Sequence, residues 1–500
     1  MTNRANVLGI AASLRNARWA SGTKDLITSI KRCRSQEELY SLVSHQSDLH
    51  LENFVAAGRR EGKPFAEIYA NLRKNKGDKG LSNSEVALAS ALWSAYREGV
   101  DIDHVSLSEH FLSSGETRHL DELRARLLAA DAVIVSGPVY FGDRGSLTQS
   151  LVEMIREDSV LRRRMAGKIY AGIAVGAKRN GGQETTLIYQ MLDFANSGFW
   201  VVGNDTEETA QYGGTGCAGD VGTMHKDSYG LKTSMGTGRR VAKLVRELGK
   251  VQIVGSPKVL FLVLQDRGGE ARARLECLTN GFHNDIEVTI VDISDQRIMP
   301  CIACDICPTR IDVDEVYRCV ISSTNDSMPK LHRRLLSHDA IIPVVLSSRE
   351  TQGFGANYQK FMERTRYLRR GDYAFSDQLV APLVFEEIGA GQNYALRIMT
   401  SMIRHHTVIA KPMIGFVHDG DVLNAQDLTQ DLSQFVKSAR RLAAARVAAG
   451  TRQQSRPYNP VGYVLSADKE AEDAKRGNRM RMLEARQQRS IREAAERLAS

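Results

Sequence analysis

Four cysteines in the second half of the chain carry its densest chemistry. Cys301, Cys304, Cys307 and Cys319 are spaced C-x2-C-x2-C-x11-C and follow the strand-like run EVTIVDIS. The x2 spacing brings three thiolates onto one loop, and four thiolates can hold a 4Fe–4S cluster. A structural zinc is a second use of the same donors. Plain packing of small apolar side chains is a third. Cys33, Cys217 and Cys277 are isolated.

A second set of residues, in the first half, suits an anionic ligand with a ring. Ser13, Arg15 and Arg18 follow the strand-like NVLGIAAS and lead into the helix-like TKDLITSIKR. A helix N-terminus offers free N–H groups and partial positive charge to a phosphate. Ser13 adds a hydroxyl, and the arginines add charge-assisted hydrogen bonds. Gly137, Pro138, Val139, Tyr140, Phe141 and Gly142 come after the apolar run AVIVS. The glycines allow tight turns, Pro138 fixes one torsion, and the aromatics can present faces or edges to a ring. Gly181, Gly182 and Gln183 come after KIYAGIAVGA. Glycine permits close approach, and the Gln183 amide can both donate and accept. Taken singly, each loop is also read as a capped helix with solvated arginines, or as a turn with core aromatics.

Loops of this kind need strands behind them, and the chain supplies two series. LRARLLAADAVIVSGPVYF, from Leu123, matches LHRRLLSHDAIIPVVLSSR, from Leu331, with Asp131 and Asp339 in register at an offset of 208 residues. Gly181-Gly182-Gln183-Glu184 matches Ala390-Gly391-Gln392-Asn393 at an offset of 209. Each half opens on a strand, NVLGIAAS or KVLFLVLQ. Strands alternating with helices imply parallel βαβ units and a doubly wound sheet, with ligands beyond the carboxyl ends of the strands. The expected organisation is therefore α/β, with two tandem doubly wound sheets in residues 1–250 and 257–450. Residues 35–95 are charged and helix-forming, and they read as an insert in the first half. The insert is either a surface embellishment or a lid or subunit contact. Residues 451–500 read as a linker and a C-terminal helix.

The motifs S-x-R, A-D-A-x-I-x-x-x-P-V-Y-F-G and G-G-Q-E-T-T together resemble the NADPH-dependent FMN reductase family of the flavodoxin-like superfamily. The resemblance spans about residues 5–245, apart from the insert. It implies a flavodoxin-like fold, non-covalent FMN, NAD(P)H as co-substrate, and a flavin near a subunit contact. Ser13, Arg15 and Arg18 would hold the FMN phosphate. Pro138 to Gly142 would flank the isoalloxazine, and Gly181, Gly182 and Gln183 would close its other side. The family often has a second Ser or Thr where this chain has Arg18. Hydride transfer needs no general acid or base, so no catalytic side chain is named. His225 and Lys226 read first as a solvated loop and second as a contact for an anionic nicotinamide cofactor.

The second half resembles the same superfamily with degraded loops. Its first loop is Gln265-Asp266-Arg267-Gly268-Gly269-Glu270, where Asp266 and Glu270 would repel a phosphate. Its cysteines are similar to those of iron–sulfur flavoproteins, whose fourth cysteine usually lies nearer. One FMN per chain is expected, with the two halves packing as a pseudo-dimer or the chain forming a homo-oligomer.

Five hundred residues and a net charge of +8 fit a multidomain globular protein with anionic cofactors. No apolar run reaches the roughly 20 residues that span a bilayer, and no signal pattern opens the chain. A cytoplasmic protein without a membrane partner is expected. No nucleic-acid motif is present, so that class of partner is set aside. Three functions remain. The first is an oxidoreductase reducing flavin, quinone or another small acceptor. The second is an electron-transfer protein serving a partner enzyme. The third is a non-catalytic flavin-binding scaffold.

Overall fold

The computed structural model describes residues 4–15, 21–74, 77–205, 212–249, 255–304, 307, 317, 319–354, 356–369, 373–449 and part of 477–497. The chain divides into two compact units, Met1–Gly249 and Lys250–Ser500.

Unit 1 begins with β1 (Asn6–Ala11), followed by α1 (Ser21–Arg32), α2 (Gln36–Phe54), α3 (Phe65–Lys74) and α4 (Asn83–Arg97). After these come β2 (Asp101–Ser106), α5 (Leu120–Ala129), β3 (Ala132–Tyr140), a short β4 (Asp143–Arg144), α6 (Ser146–Glu157) and α7 (Ser159–Met165). The unit closes with β5 (Ile169–Gly176), α8 (Gln183–Asn196), β6 (Trp200–Val201), β7 (Gly214–Cys217) and α9 (Ser228–Leu248). β1 pairs in parallel with β2 on one side and β3 on the other. β3 pairs with β5, and β5 pairs first with β6 and then with β7, which share the fifth strand position. The order is 2-1-3-4-5, the flavodoxin-like order with its switch point between the first and third strands. β3 up to Gly137 and all of β5 are buried, because helices cover a parallel sheet on both faces.

α4 corrects the insert boundaries expected from sequence. It packs on β1, β3, β5 and α9, and its residues from Ser84 to Leu92 are all buried. Its contact with α9 is close enough that a Cβ on Gly238 would stand 1.9 Å from the Ala91 carbonyl oxygen. α4 is therefore a core helix of the sheet and not part of a peripheral insert. Small residues and helix formers made α4 resemble the insert that precedes it.

Unit 2 runs through β8 (Lys258–Gln265), α10 (Glu270–Thr279), β9 (Glu287–Asp292), α11 (Met328–Leu336) and β10 (Ala340–Ser347). It continues with α12 (Asn357–Arg364), α13 (Arg366–Arg369), β11 (Leu379–Val380), β12 (Leu383–Glu387), α14 (Tyr394–Ile403), β13 (Val408–Ile409), β14 (Met413–His418), β15 (Asp421–Val422) and α15 (Ala425–Ala449). β8 pairs with β9 and β10. β10 pairs with β11 and then β12, and these pair with β13 and β14 in turn. The order is again 2-1-3-4-5. The fourth and fifth positions break at Pro382 and Pro412, where no N–H is available for the ladder. Most of the expected linker, residues 451–476, lies outside the described residues.

Candidate functional site

The carboxyl ends of β1, β3 and β5 open into one cavity of about 900 Å³, within the size range of cofactor pockets. Ser13, Leu14 and Arg15 line it from the end of β1. The Ser13 hydroxyl accepts the Arg15 N–H at 3.3 Å. No carboxylate pairs with Arg15 among the described residues, and its guanidinium lies 5.8 Å from the centre of the Phe54 ring. Arg18 lies outside the described residues.

Ser82, Asn83 and Ser84, at the N-terminus of α4, line the same cavity. Sequence reasoning missed them. Ser82 caps the helix by accepting the Glu85 N–H at 3.4 Å, and the Glu85 carboxylate accepts the Ser82 N–H at 3.3 Å. The N–H groups of Asn83 and Ser84 have no intrahelical acceptor and carry the positive end of the helix. The Asn83 amide is tied to the loop after β7. It donates to the Asp220 carbonyl at 2.8 Å and accepts the Thr223 N–H at 3.1 Å. The polar lining of this end of the cavity is thus split. One part follows β1, and the other returns only after α1, α2 and α3. The capping-box pattern S-x-x-E at Ser82 was the available signal.

Pro138, Val139 and Tyr140 line the cavity from β3. Phe141 follows with a left-handed backbone (φ 52°) and a fully exposed ring. Gly142 (φ 79°) meets the next loop: a Cβ on Gly182 would stand 2.7 Å from the Gly142 Cα. From β5 the lining residues are Val175, Gly176 and Ala177. Gly181, Gly182 and Gln183 are not among the lining residues. Gln183 is buried, and its amide donates to the Lys178 carbonyl at 2.7 Å and the Gly216 carbonyl at 3.0 Å. It braces the loop from behind, because its backbone position at the start of α8 turns the side chain inward. His225 and Lys226 form a one-turn helix with Met224 and do not line the cavity.

The hairpin α2–α3 reaches the cavity through His50, Ala66, Tyr69 and Ala70. It is a wall of the site as well as an addition to the surface.

Unit 2 differs at the corresponding loop. The Asp266 carboxylate accepts the N–H groups of Arg267 at 2.7 Å, Ala271 at 2.8 Å and Arg272 at 3.1 Å. It sits on the N-terminus of α10, where a phosphate would bind, and a second anion there meets both charge repulsion and occupied donors. Arg267 crosses to the loop after β10, donating to the Glu350 and Gln352 carbonyls and lying 4.8 Å from the centre of the Phe354 ring. The Glu387 carboxyl accepts the Arg349 N–H and the Ser348 hydroxyl, which hold it below the usual carboxylate range.

The cysteines stand apart from that loop. Cys301 and Cys304 are partly exposed, while Cys307 and Cys319 are buried. The Cys301 sulfur accepts the Ala303 N–H at 3.4 Å, with Ala303 left-handed (φ 52°). Among the described residues no three His, Cys, Asp or Glu side chains are grouped to hold a metal ion. The expected ligand set of Cys301, Cys304, Cys307 and Cys319 is therefore not gathered here. Both flanks of the cysteine segment are held by Arg364. Its fully buried guanidinium donates to the Met299 carbonyl at 2.8 Å, the Ile321 carbonyl at 3.0 Å and the Asp326 carboxylate at 2.7 Å.

The sequence profile of NADPH-dependent FMN reductase matches residues 66–207. The match takes in most of α3, all of α4 and the strand-end loops of β3 and β5. An iron-sulfur flavoprotein of Methanocaldococcus jannaschii is 31% identical over 181 residues, covering 34% of this chain and 93% of that protein. The iron-sulfur flavoprotein of Methanosarcina thermophila is 28% identical over 186 residues, covering 34% and 91%. Among solved structures, a flavodoxin, WrbA-like protein from Agrobacterium tumefaciens is 16% identical, covering 49% of this chain and 98% of that one, with a TM-score of 0.26. No described helix is long and apolar enough to cross a membrane.

Proposed function

The chain belongs to the flavodoxin-like family of NADPH-dependent FMN reductases and iron-sulfur flavoproteins, and from that premise we propose that unit 1 binds one FMN and passes reducing equivalents from NAD(P)H to a small acceptor. The observation that carries this reading is the cavity itself. An uncompensated Arg15 and the N-terminus of α4 face the space at the end of β1, and Pro138 to Tyr140 face it at the end of β3. The residues fit the cofactor: cation and free N–H groups for a phosphate, then a flat-sided, largely apolar slot for a ring.

Ser13, Arg15 and the Asn83 and Ser84 N–H groups would hold the phosphate. Arg18, which the resemblance also assigns to the phosphate, lies outside the described residues. Pro138, Val139 and Tyr140 would fix the plane of the ring, with Val175 to Ala177 beside it. Bound FMN supplies a ring that accepts hydride and releases the electrons onward. The chain's own work is to hold, orient and shield it, and no side chain is assigned as acid or base. Unit 2 would hold no flavin, because Asp266 already occupies the donors of α10.

Flavin quantified in the purified protein, with bleaching of its visible absorbance by NADPH and by NADH, tests this reading. A yellow protein bleached by either nucleotide is expected. Protein without flavin, or flavin that neither nucleotide bleaches, would count against it.

A second reading adds a 4Fe–4S cluster and a protein partner. The cysteine spacing and the names of the two relatives favour it. The donor types suit a cluster, but the sulfurs are not gathered, so no step is routed through one. Iron and acid-labile sulfide near four per chain would support it, and values near zero would remove it.

A further inference from the structure

The cavity of unit 1 is lined by more than the loops assigned to the flavin. The hairpin α2–α3 contributes His50, Ala66, Tyr69 and Ala70, and a tight turn after β2 contributes Leu112, Ser113, Ser114, Glu116 and Arg118. Neither element belongs to the motifs that led to FMN.

Both are held firmly. Phe54, Ala57 and Ile68 form a small core against which Leu72 and Val221 pack, and Val221 itself lines the cavity. The loop after β7 lies so near α2 that a Cβ on Gly222 would stand 2.7 Å from the Ser47 carbonyl oxygen. The turn after β2 is anchored by His110, which is fully buried. Burial pushes its imidazole down. Its Nδ1–H then faces the Arg118 carbonyl at 3.2 Å and the His119 carbonyl at 3.1 Å. The Arg118 N–H donates back to the His110 carbonyl at 2.8 Å.

On this platform the Arg118 guanidinium has no carboxylate partner among the described residues. The neighbouring Glu116 carboxylate turns instead to the Ser114 hydroxyl at 3.3 Å. Arg118 and Arg15, both exposed, therefore line the cavity without a carboxylate partner among the described residues. Ala66, Tyr69 and Ala70, within about one turn of α3, line the same cavity. An apolar slot with one aromatic face and one free guanidinium selects a flat ring that carries an anion.

We propose that the hairpin α2–α3 and the turn bearing Arg118 form a second compartment beside the flavin. It takes the molecule that exchanges reducing equivalents with the ring: a flat aromatic compound with an acidic group, placed against Tyr69 and paired with Arg118. The proposal rests on the flavin assignment above. A phosphate of the nicotinamide donor and a carboxylate or sulfonate on an acceptor share this chemistry.

Anthraquinone-2-sulfonate is a suitable probe, titrated into wild type, Ala70→Trp and Arg118→Ala, with flavin content and melting temperature measured for each. The milder Ala70→Leu and Arg118→Gln replace any variant that does not fold. Each substitution should weaken the probe by about tenfold or more, on the scale of one charge-assisted bond or one filled slot, with FMN content unchanged. Separate rates of bleaching by NADPH and of reoxidation by the probe assign the compartment to donor, acceptor or both. Equal probe affinity in all proteins overturns the proposal. Loss of FMN from Arg118→Ala also overturns it, by placing that guanidinium on the flavin phosphate. Wild type purified without flavin would remove the flavin reading alone, and the probe titration would still decide the compartment.

Discussion

The Ser136 hydroxyl donates to the Ser84 carbonyl at 2.7 Å. This buried bond ties the middle of β3 to the first turn of α4. It fixes the N-terminus of α4 against the strand whose later residues line the cavity. The helix N-terminus is thus positioned by the sheet, even though three helices intervene after Ser13 and Arg15. Arg15→Ala should weaken FMN by about ten- to a hundredfold, the range of a charge-assisted bond of roughly 1.5–3 kcal/mol. Ser136→Ala should weaken it less, through loosened position alone. Flavin fluorescence quenching, titrated for both variants, measures the difference.

Asp266 plays an internal part in unit 2, filling the donors of α10 with the chain's own carboxylate. Asp266→Ala should lose the carboxylate that caps the first-turn N–H groups of α10, worth about 1 kcal/mol, and lower the denaturant midpoint. It should not create a second tight flavin site, because Arg267 still crosses the slot. Equilibrium unfolding and flavin titration of the variant check both parts.

Arg364 and Asp326 are an ion pair with no exposed side-chain surface. Removing one partner leaves a buried charge without its counterion, which costs about 3–5 kcal/mol. Asp326→Ala should therefore destabilise unit 2 strongly. Met299 and Ile321 share the same guanidinium, so Cys301 and Cys304 should become more reactive to a thiol reagent. Mass-tagging of the cysteines against time reports that loosening.

Burial pushes the His405 imidazole down to about 3, with Arg369 and Arg404 adding to the shift. In the unfolded chain the ring titrates near 6.5. Between these values the unfolded state binds more protons, so stability falls as pH drops from about 6.5 toward about 3, at up to about 1.4 kcal/mol per pH unit. The contribution is complete above that window. Denaturant midpoints at pH 7 and pH 5 should differ more in wild type than in His405→Gln.

Much of the fold was legible in the sequence because the buried parallel strands are continuous apolar runs. The match of Asp131 with Asp339 has a common physical basis. The Asp131 carboxylate accepts the Asn6 N–H at 2.8 Å, and the Asp339 carboxylate accepts the Lys258 N–H at 2.9 Å, each at the start of the first strand of its unit. The lining of the cavity was legible only where one loop carries it, as from Pro138 to Tyr140. Ser82 to Ser84 are not legible because the chain leaves the cavity after Arg15 and returns to that end of it only at α4. Gln183 was misjudged because residue type and spacing do not say which way an amide points. The wall of Tyr69 and Arg118 had no motif at all, since it comes from tertiary packing of two unrelated hairpins.

The most direct test of one flavin site, in unit 1 alone, is the amount of FMN released per chain from protein saturated with FMN and freed of excess. About one FMN per chain is expected. A value near zero would contradict the flavin site in unit 1, and a value near two would contradict the closure of unit 2 by Asp266.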